Sequence, residues 1–260
     1  SENKQNMAAG IPIFDMSAQV TIPNEWEKIA EVNIGITAGI EVDRVTPVWI
    51  DKANIMDKII VPSSFAKQGF TKTVYETVNN ATGEKAEYRC HTPIDVIPYP
   101  TRSTLVSDSF TKEMFSKIDT EKNLLCIAQW SPRKDLELTI RAFVEEFRKE
   151  NVGLILKTNL TNNSNMDRCL VEEKITDILK EYPDRECKIH LVHGDLKKEE
   201  MSALYKSTRI SAIVTSTHGE GYGLPLFEAA YHGLPVIAPK WSGHVDFLTS
   251  DVDGKSKYCA

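Results

Sequence analysis

The sequence of 260 residues has few cysteines, no excess of basic residues and no long apolar run. Its five cysteines are scattered without C-x-x-C spacing, which argues against a disulfide framework and against a zinc site. The net charge of -6 gives no support to a general nucleic-acid-binding surface. No apolar stretch approaches the roughly 20 residues of a membrane-spanning helix. We therefore expect a cytoplasmic globular protein with no nucleic-acid partner and no membrane span.

The second half of the sequence alternates short apolar runs with amphipathic segments. The apolar runs predict strands over 123–128, 153–158, 188–192, 209–215 and 234–238. The segments between them predict helices over 135–149, 166–182, 198–206 and 226–232. Runs that are apolar on both faces, separated by amphipathic helices, indicate a parallel sheet covered on both sides. This half is predicted to be a Rossmann-like α/β domain.

The first half contains fewer elements of the same kind. Its pattern predicts strands over 32–36, 58–61 and 94–98 and helices over 48–56 and 64–70, with a bridging helix over 108–119. These pieces are too few to complete a second sheet. We predict a partial domain with a linker over residues 1–106 and a second domain over 107–260. Both ends of the sequence look cut, so we expect a fragment of a longer protein.

Polar residues follow the predicted strands of the second domain, where an open parallel sheet binds its ligands. Arg133 and Lys134 lie in the loop after the first of these strands, and Lys157 ends the second. His218 and Glu220 lie in the loop after the fourth strand. Two basic loops and a glycine-rich loop with an acid are thus predicted to meet at one edge of the sheet.

The glycine-rich loop has the composition of an anion-binding turn. Gly219, Gly221 and Gly223 alternate, so we expect unusual backbone dihedrals and a close approach to a ligand. Leu224 and Pro225 are predicted to open a helix, whose first amides and positive dipole end suit a phosphate or pyrophosphate. Three or four charged hydrogen bonds of about 1.5–3 kcal/mol each are enough for micromolar binding of a nucleoside diphosphate.

Two glutamates flank this predicted phosphate site. Glu220 precedes it, and Glu228 lies one turn into the helix, with its side chain leaning back toward the helix start. Each carboxylate can accept two hydroxyl hydrogen bonds from a vicinal diol. A nucleotide sugar offers one diol on the ribose and one on the sugar, with the diphosphate between them, and therefore fits the spacing.

At these residues the sequence resembles the retaining GT-B glycosyltransferases of glycosyltransferase family 4. The family's E-x7-E motif corresponds to Glu220 and Glu228, within a match over 216–247. The match continues back through 126–147, and a further piece over 35–70 includes a T-x-x-x-E pattern from Thr37 to Glu41. The resemblance implies the GT-B fold, with two Rossmann-like domains facing a cleft, the N-terminal, acceptor-side one being incomplete here.

The resemblance also implies a role for each site residue. Glu228 is expected to bind the ribose and Glu220 to contact the transferred sugar, while Lys134, assisted by Arg133, neutralises the leaving diphosphate. The backbone amides expected to face the diphosphate are those of Gly221, Tyr222, Gly223 and Leu224. Lys157 and His218 are candidate donor contacts, for which solvent-facing and structural roles stay open. Gln129 stands where many members have a second arginine, and the family's N-terminal catalytic histidine and glycine-rich loop have no clear counterpart.

By the same resemblance, the reaction retains anomeric configuration, uses a nucleotide-diphosphate sugar and requires neither a cofactor nor a metal. Asp251-Val252-Asp253 looks like the D-x-D metal motif of a different glycosyltransferase fold, but we interpret it as an acidic turn beside Gly254. The acceptor stays open among glycans, lipids and proteins.

Two other functions compete with a transferase. An isomerase of the nucleotide-sugar 2-epimerase type shares the fold, although no second acid/base pair supports it; it predicts conversion of the donor without an acceptor. A catalytically silent fragment or subunit predicts nucleotide binding without transfer or hydrolysis.

Overall fold

The computed structural model describes residues 23–78, 82–100 and 108–249. These residues form two compact units. The first holds 23–78 and 82–100 together with Glu220–Tyr222 and Ser242–Asp246, and the second holds 108–219, 223–241 and 247–249. Across these described residues, every helix is too short or too polar to traverse a lipid bilayer.

The first unit contains a small parallel sheet and a hairpin. After a 3₁₀ turn at Pro23–Glu25, its elements are β1 (Ile34–Ile36), α1 (Pro47–Asn54), β2 (Lys58–Val61), α2 (Ser64–Lys72), β3 (Val74–Val78), β4 (Lys85–Arg89) and β5 (Ile94–Val96). The parallel sheet has the order β1-β2-β5, and β3 and β4 pair antiparallel. Its core surrounds Trp26, Ile59 and Phe70, all of them buried.

The second unit contains a five-stranded parallel sheet in the order β10-β9-β6-β7-β8. Its elements are α3 (Asp108–Ser116), β6 (Lys122–Ile127), α4 (Leu136–Glu146), β7 (Val152–Lys157), α5 (Asn165–Leu179), β8 (Lys188–Val192), α6 (Lys198–Tyr205), β9 (Ile210–Val214), α7 (Leu224–Tyr231), β10 (Val236–Ile237) and α8 (Val245–Leu248, which begins in the first unit).

Successive residues of β7, which lies between β6 and β8, point to opposite faces of this sheet. Ile155 packs with Leu125 and Ile213 in one core, while Leu154 and Leu156 pack in the other. All five are buried. Two cores on the two faces of one parallel sheet confirm the prediction of a Rossmann-like domain covered on both sides.

The differences from the predicted elements have local causes. The strand predicted over 234–238 shortens to Val236–Ile237, because Pro235 has no amide to pair and only its carbonyl joins the ladder, accepting from Ile213. The strand predicted from residue 32 begins at Ile34, because the Asn33 side chain accepts the amides of Ile29 and Ala30 and closes a turn there.

Other predictions missed an element or its bounds, and some concern residues that the structure does not describe. The hairpin β3–β4 was missed, since its strands alternate charged and apolar residues and bury little. Helix α7 begins at Leu224, as the Leu224-Pro225 start signal predicted, and not at 226, where the apolar periodicity placed it. Helix α3 ends three residues early, at Ser116. The predicted domain boundary between 106 and 107 lies outside the described residues, as does Asp251-Val252-Asp253.

Candidate functional site

A cavity of about 250 Å³ lies within the second unit, at the carboxyl ends of the parallel strands. Its lining residues are Ile127, Ala128, Gln129, Lys134, Lys157, Thr158, Asn159, Asn163, Asp195 and Pro225. They come from the ends of β6 and β7, the loops that follow β6, β7 and β8, and the first turn of α7. This is the edge at which an open α/β sheet binds ligands.

Two lysines give this cavity its positive charge. Lys157 ends β7, and its Nζ donates a hydrogen bond of 3.2 Å to the carbonyl of Gly194. Burial lowers the pKa of Lys157, and the charge of Asp195 partly opposes that change. Lys134, half-buried, lines the same cavity from the loop after β6. A phosphate group placed here meets two ammonium groups.

Arg133 ties the loop after β6 to the loop after β9. Its Nη1 donates to the carbonyl of Gly219 at 2.6 Å, and its own carbonyl accepts the amide of His218 at 2.8 Å. Arg133 and Lys134 both precede α4, which begins at Leu136, so both lie in the loop after β6.

Asp135 links the same two loops and begins α4. It has a φ of 44°, which a non-glycine residue rarely adopts but Asp tolerates. Its carboxylate caps the helix by accepting the amide of Leu138 at 3.2 Å, and its Oδ2 lies 3.1 Å from Nε2 of His218. His218 therefore has a structural contact here. Its side chain is 63% exposed, which leaves a ligand contact open.

The prediction of a helix opening after the glycine-rich loop is confirmed. Gly223 caps α7 with a φ of 89° and a ψ of 55°. Pro225 has no amide, and the amides of Leu226 and Phe227 donate to the Gly223 carbonyl at 3.0 Å. Within this described first turn, the amide of Leu224 is therefore the one able to face an anion.

The expectation about the three alternating glycines needs correction. Among the described residues Gly223 has a positive φ, whereas Gly219 and Gly221 do not. Gly221 is instead required by space, because a Cβ there would lie 2.7 Å from the carbonyl oxygen of Ala38. Its own carbonyl accepts the Ser63 hydroxyl at 2.6 Å. Close backbone approach, rather than unusual dihedrals, is the property that Gly221 supplies.

Glu228 is an exposed residue of α7, and one oxygen of its carboxylate has a partner. The buried hydroxyl of Tyr205, on α6, donates to Oε2 of Glu228 at 3.0 Å. Burial first, and then the charge of Glu228, raise the pKa of Tyr205 well above its usual value, so this hydroxyl stays a donor. A carboxylate with one oxygen engaged in this way is oriented in advance for further donors.

Glu220, Gly221 and Tyr222 belong to the first unit. The amide of Glu220 donates to Oγ of Ser242 at 3.1 Å, and the Glu220 side chain is buried. Tyr222 is also buried, and its ring makes an edge-to-face contact with the ring of Tyr99. Burial foremost raises the pKa of Tyr222 to about 12. Their contacts with a donor stay predictions.

Some cavity residues were missed by sequence reasoning. Asp195 and Asn163 line the cavity, and neither was predicted as a site residue. Asp195 lies three residues after β8, so the rule that ligands bind beyond strand ends was sufficient to find it. Gln129, which was noted only for replacing an arginine, also lines the cavity, and its Nε2 donates to the carbonyl of Leu160 at 2.8 Å.

No group of three or more histidine, cysteine, aspartate or glutamate side chains that could hold a metal ion occurs within 23–78, 82–100 and 108–249. That the reaction proceeds without a metal or a cofactor remains a prediction.

Comparison with known proteins gives one family match. The model of the family described as "Glycosyl transferases group 1" matches residues 109–256, more than half of the chain. Comparison with curated proteins gives no match.

Solved structures with a similar fold include three determined with uridine nucleotides. Anabaena HepE in complex with UDP and glucose is 16% identical, with a TM-score of 0.59 over 86% of this chain and 57% of that one. An E. coli structure described as trehalose-6-phosphate bound with UDP-2-fluoro glucose is 8% identical, with a TM-score of 0.57 over 83% and 55%. A mutant of S. aureus TarM in complex with fondaparinux, alpha-GlcNAc-glycerol and UDP is 16% identical, with a TM-score of 0.54 over 86% and 40%.

At these identities the likeness concerns the fold alone, and it confirms the predicted GT-B fold class. The chain spans between 40% and 57% of the length of the three structures.

Proposed function

This chain belongs to the glycosyl transferases group 1 family, and from that membership we propose that it transfers a sugar from a nucleotide-diphosphate donor to an acceptor hydroxyl. One observation carries the proposal: a cavity lined by Lys134 and Lys157 at the carboxyl ends of the parallel strands, with the first turn of α7 in its wall. This combination suits a diphosphate. We further assign the chain to the retaining enzymes of glycosyltransferase family 4, on the E-x7-E motif.

In this proposal the two lysines and the amide of Leu224 hold the diphosphate. Glu228 binds the ribose diol through the carboxylate that Tyr205 orients. Glu220 contacts the transferred sugar. Arg133 contributes mainly by holding the glycine-rich loop through the Gly219 carbonyl, which refines the catalytic role expected for it.

The proposed reaction breaks the bond between the anomeric carbon and the diphosphate oxygen, and that oxygen leaves with the bonding electrons. The acceptor hydroxyl forms the new bond on the same face, so configuration is retained and its proton passes to the departing phosphate. Negative charge grows on the leaving oxygen, where Lys134 is expected to stabilise it. Gln129 carries no charge to add, and its amide holds the Leu160 carbonyl, so leaving-group stabilisation depends on the lysines.

Calorimetric titration of the full chain with UDP, GDP and ADP tests the donor site. We expect one nucleotide to bind at micromolar strength, on the order of -8 kcal/mol. Glu228→Ala is expected to weaken that binding by about 1–3 kcal/mol, through lost ribose hydrogen bonds. Glu173→Ala is the matched control, because it removes the same charge from an exposed position on α5. A folded protein that binds none of the three nucleotides would overturn the proposal.

Incubation of the corresponding nucleotide sugars with and without acceptors separates the competing functions. Conversion of the donor sugar without any acceptor would favour a 2-epimerase. Nucleotide binding with neither transfer nor hydrolysis would favour a silent fragment or subunit. Transfer followed by nuclear magnetic resonance of the new linkage reports the anomeric configuration, and an inverted product would remove the assignment to the retaining enzymes.

A further inference from the structure

The carboxylate of Asp167, in the first turn of α5, gathers three consecutive backbone amides. Leu160, Thr161 and Asn162 donate to it at 2.9, 2.8 and 3.3 Å. Its side chain is 5% exposed. Burial acts to raise the pKa of Asp167, but hydrogen bonds from His193 and from these amides outweigh it and hold the pKa well below its usual value. The group is therefore an acceptor at neutral pH.

His193, which follows a different strand, supplies a further hydrogen-bond donor to the Asp167 carboxylate. Its Nε2 lies 2.9 Å from Oδ2 of Asp167, and its side chain is 5% exposed. Because a carboxylate only accepts hydrogen bonds, we assign the hydrogen to Nε2. His193 directly follows β8, whereas the three amides belong to the loop after β7. The pair therefore joins these two loops.

Both loops line the cavity at the ends of the parallel strands. Asn159 and Asn163 come from the loop after β7, and Asp195 comes from the loop after β8. A second link runs in parallel, since Nζ of Lys157 donates to the carbonyl of Gly194. Lys157 lines the cavity, whereas Asp167 and His193 do not, so an anion bound there need not compete for the hydrogen bonds of the Asp167–His193 pair.

We propose that Asp167 and His193 are positioning residues that hold the loops after β7 and β8 in the arrangement that binds a nucleoside diphosphate. This inference rests on the proposed function, because it assigns the pair to donor binding. Neither residue lines the cavity, so their effect passes through Asn159, Asn163 and Asp195. Without the link, the loops adopt the binding arrangement for only a fraction of the time, and the apparent affinity falls by that fraction.

Three variants of the full chain, titrated separately with UDP, GDP and ADP, test this role. His193→Leu removes Nε2, while His193→Gln presents an amide nitrogen to Asp167. His190→Leu is the matched control, because His190 lies on β8, which His193 directly follows. Its Nε2, 2.9 Å from Oγ1 of Thr120, makes a comparable contact away from the cavity. Circular dichroism first establishes a temperature at which every variant is folded.

We expect His193→Leu to bind roughly tenfold more weakly than the wild type, since loops held only about one tenth of the time lower the affinity in proportion. His193→Gln should restore binding, and His190→Leu should lower the melting temperature without changing the affinity. A role limited to stability would instead lower the melting temperature of both leucine variants and change neither affinity.

The outcomes separate this inference from the proposed function. A wild type that binds one nucleotide, with His193→Leu binding it equally, overturns the inference alone. A folded wild type that binds none of the three overturns the proposed function and the inference with it. If His193→Leu does not fold, hydrogen exchange of the wild type tests the role instead. Nucleotide binding should slow the exchange of the amides of Leu160, Thr161 and Asn162. Unchanged exchange at these amides would refute the role.

Discussion

Replacing Gly223 by alanine is predicted to damage stability and ligand binding together, whereas the same change at the other end of α7 should damage stability alone. Gly223 caps the helix with a φ of 89°, and Gly233 follows the helix with a φ of 81°. A Cβ at Gly233 would meet nothing within 4 Å, so strain there is purely conformational. The two substitutions impose similar backbone strain at opposite ends of one helix.

The magnitude follows from the left-handed backbone. An L-residue in this region costs about 1–2 kcal/mol, and the smaller entropy of the unfolded alanine chain offsets about 0.4–1 kcal/mol, which leaves roughly 1 kcal/mol of lost stability. In a chain of this size that corresponds to a melting temperature lower by about 2–4 °C. Gly223→Ala should also displace the Leu224 amide, and losing one charged hydrogen bond to a phosphate weakens binding by roughly tenfold or more.

Urea unfolding and calorimetric titration with UDP, GDP and ADP measure the two effects on each variant. The expected pattern is a similar loss of unfolding free energy in both, with weaker nucleotide binding only for Gly223→Ala. Equal affinities in the two variants would refute the idea that the start of α7 holds the diphosphate. Unchanged stability in both would refute the strain argument itself.

Three further predictions concern other parts of the second unit. Tyr205→Phe should lower the unfolding free energy by about 0.5–1.5 kcal/mol, because it removes the hydrogen bond from the Tyr205 hydroxyl to Glu228. Glu228→Gln keeps an acceptor for that hydroxyl and should leave the unfolding free energy nearly unchanged. Equal losses in the two variants would contradict this prediction. Leu154→Ala, at a fully buried position, should lower the unfolding free energy, measured by thermal unfolding, by about 2–5 kcal/mol. Leu170 is 45% exposed, so Leu170→Ala should lower it far less. Similar losses in the two variants would refute the packing argument. Because burial holds the pKa of Lys157 below its usual value, folding disfavours its charged form, and this penalty is relieved as the amine deprotonates. The stability of the wild type relative to Lys157→Met should therefore rise as the pH increases toward 10.5, the usual pKa of the amine, and a constant difference would contradict the cause.

The parallel sheet of the second unit was predictable because its signal is local. Residues 153–156 are apolar without interruption, and the strand observed there, Val152–Lys157, is buried on both faces. The strand predicted over 188–192 is observed with the same bounds, Lys188–Val192. Strand alternation and helix periodicity depend only on neighbouring residues, so a sequence carries them directly. The hairpin of β3 and β4 shows the limit, since it buries little and therefore leaves a weak apolar pattern.

The candidate site was predictable only as a set of strand-end loops. Arg133, Lys134 and Lys157 were each identified because they lie at or after the end of a predicted strand, and Lys134 and Lys157 line the cavity. Their partners were not identified. Arg133 donates to the carbonyl of Gly219, which is distant from it in the sequence. The Tyr205 hydroxyl that orients Glu228 likewise comes from a different helix. Such contacts depend on which loops the strand order brings together.

The sequence by itself thus determined which segments form strands and helices and which loops carry charge, because backbone periodicity and turn chemistry act over a few residues. Only the tertiary structure decided that Asp167 meets His193 and that Lys157 meets the Gly194 carbonyl. Those contacts require the pairing of β7 with β8, which joins segments separated by a helix. Strand pairing is set by the packing of whole elements, so no local pattern specifies it.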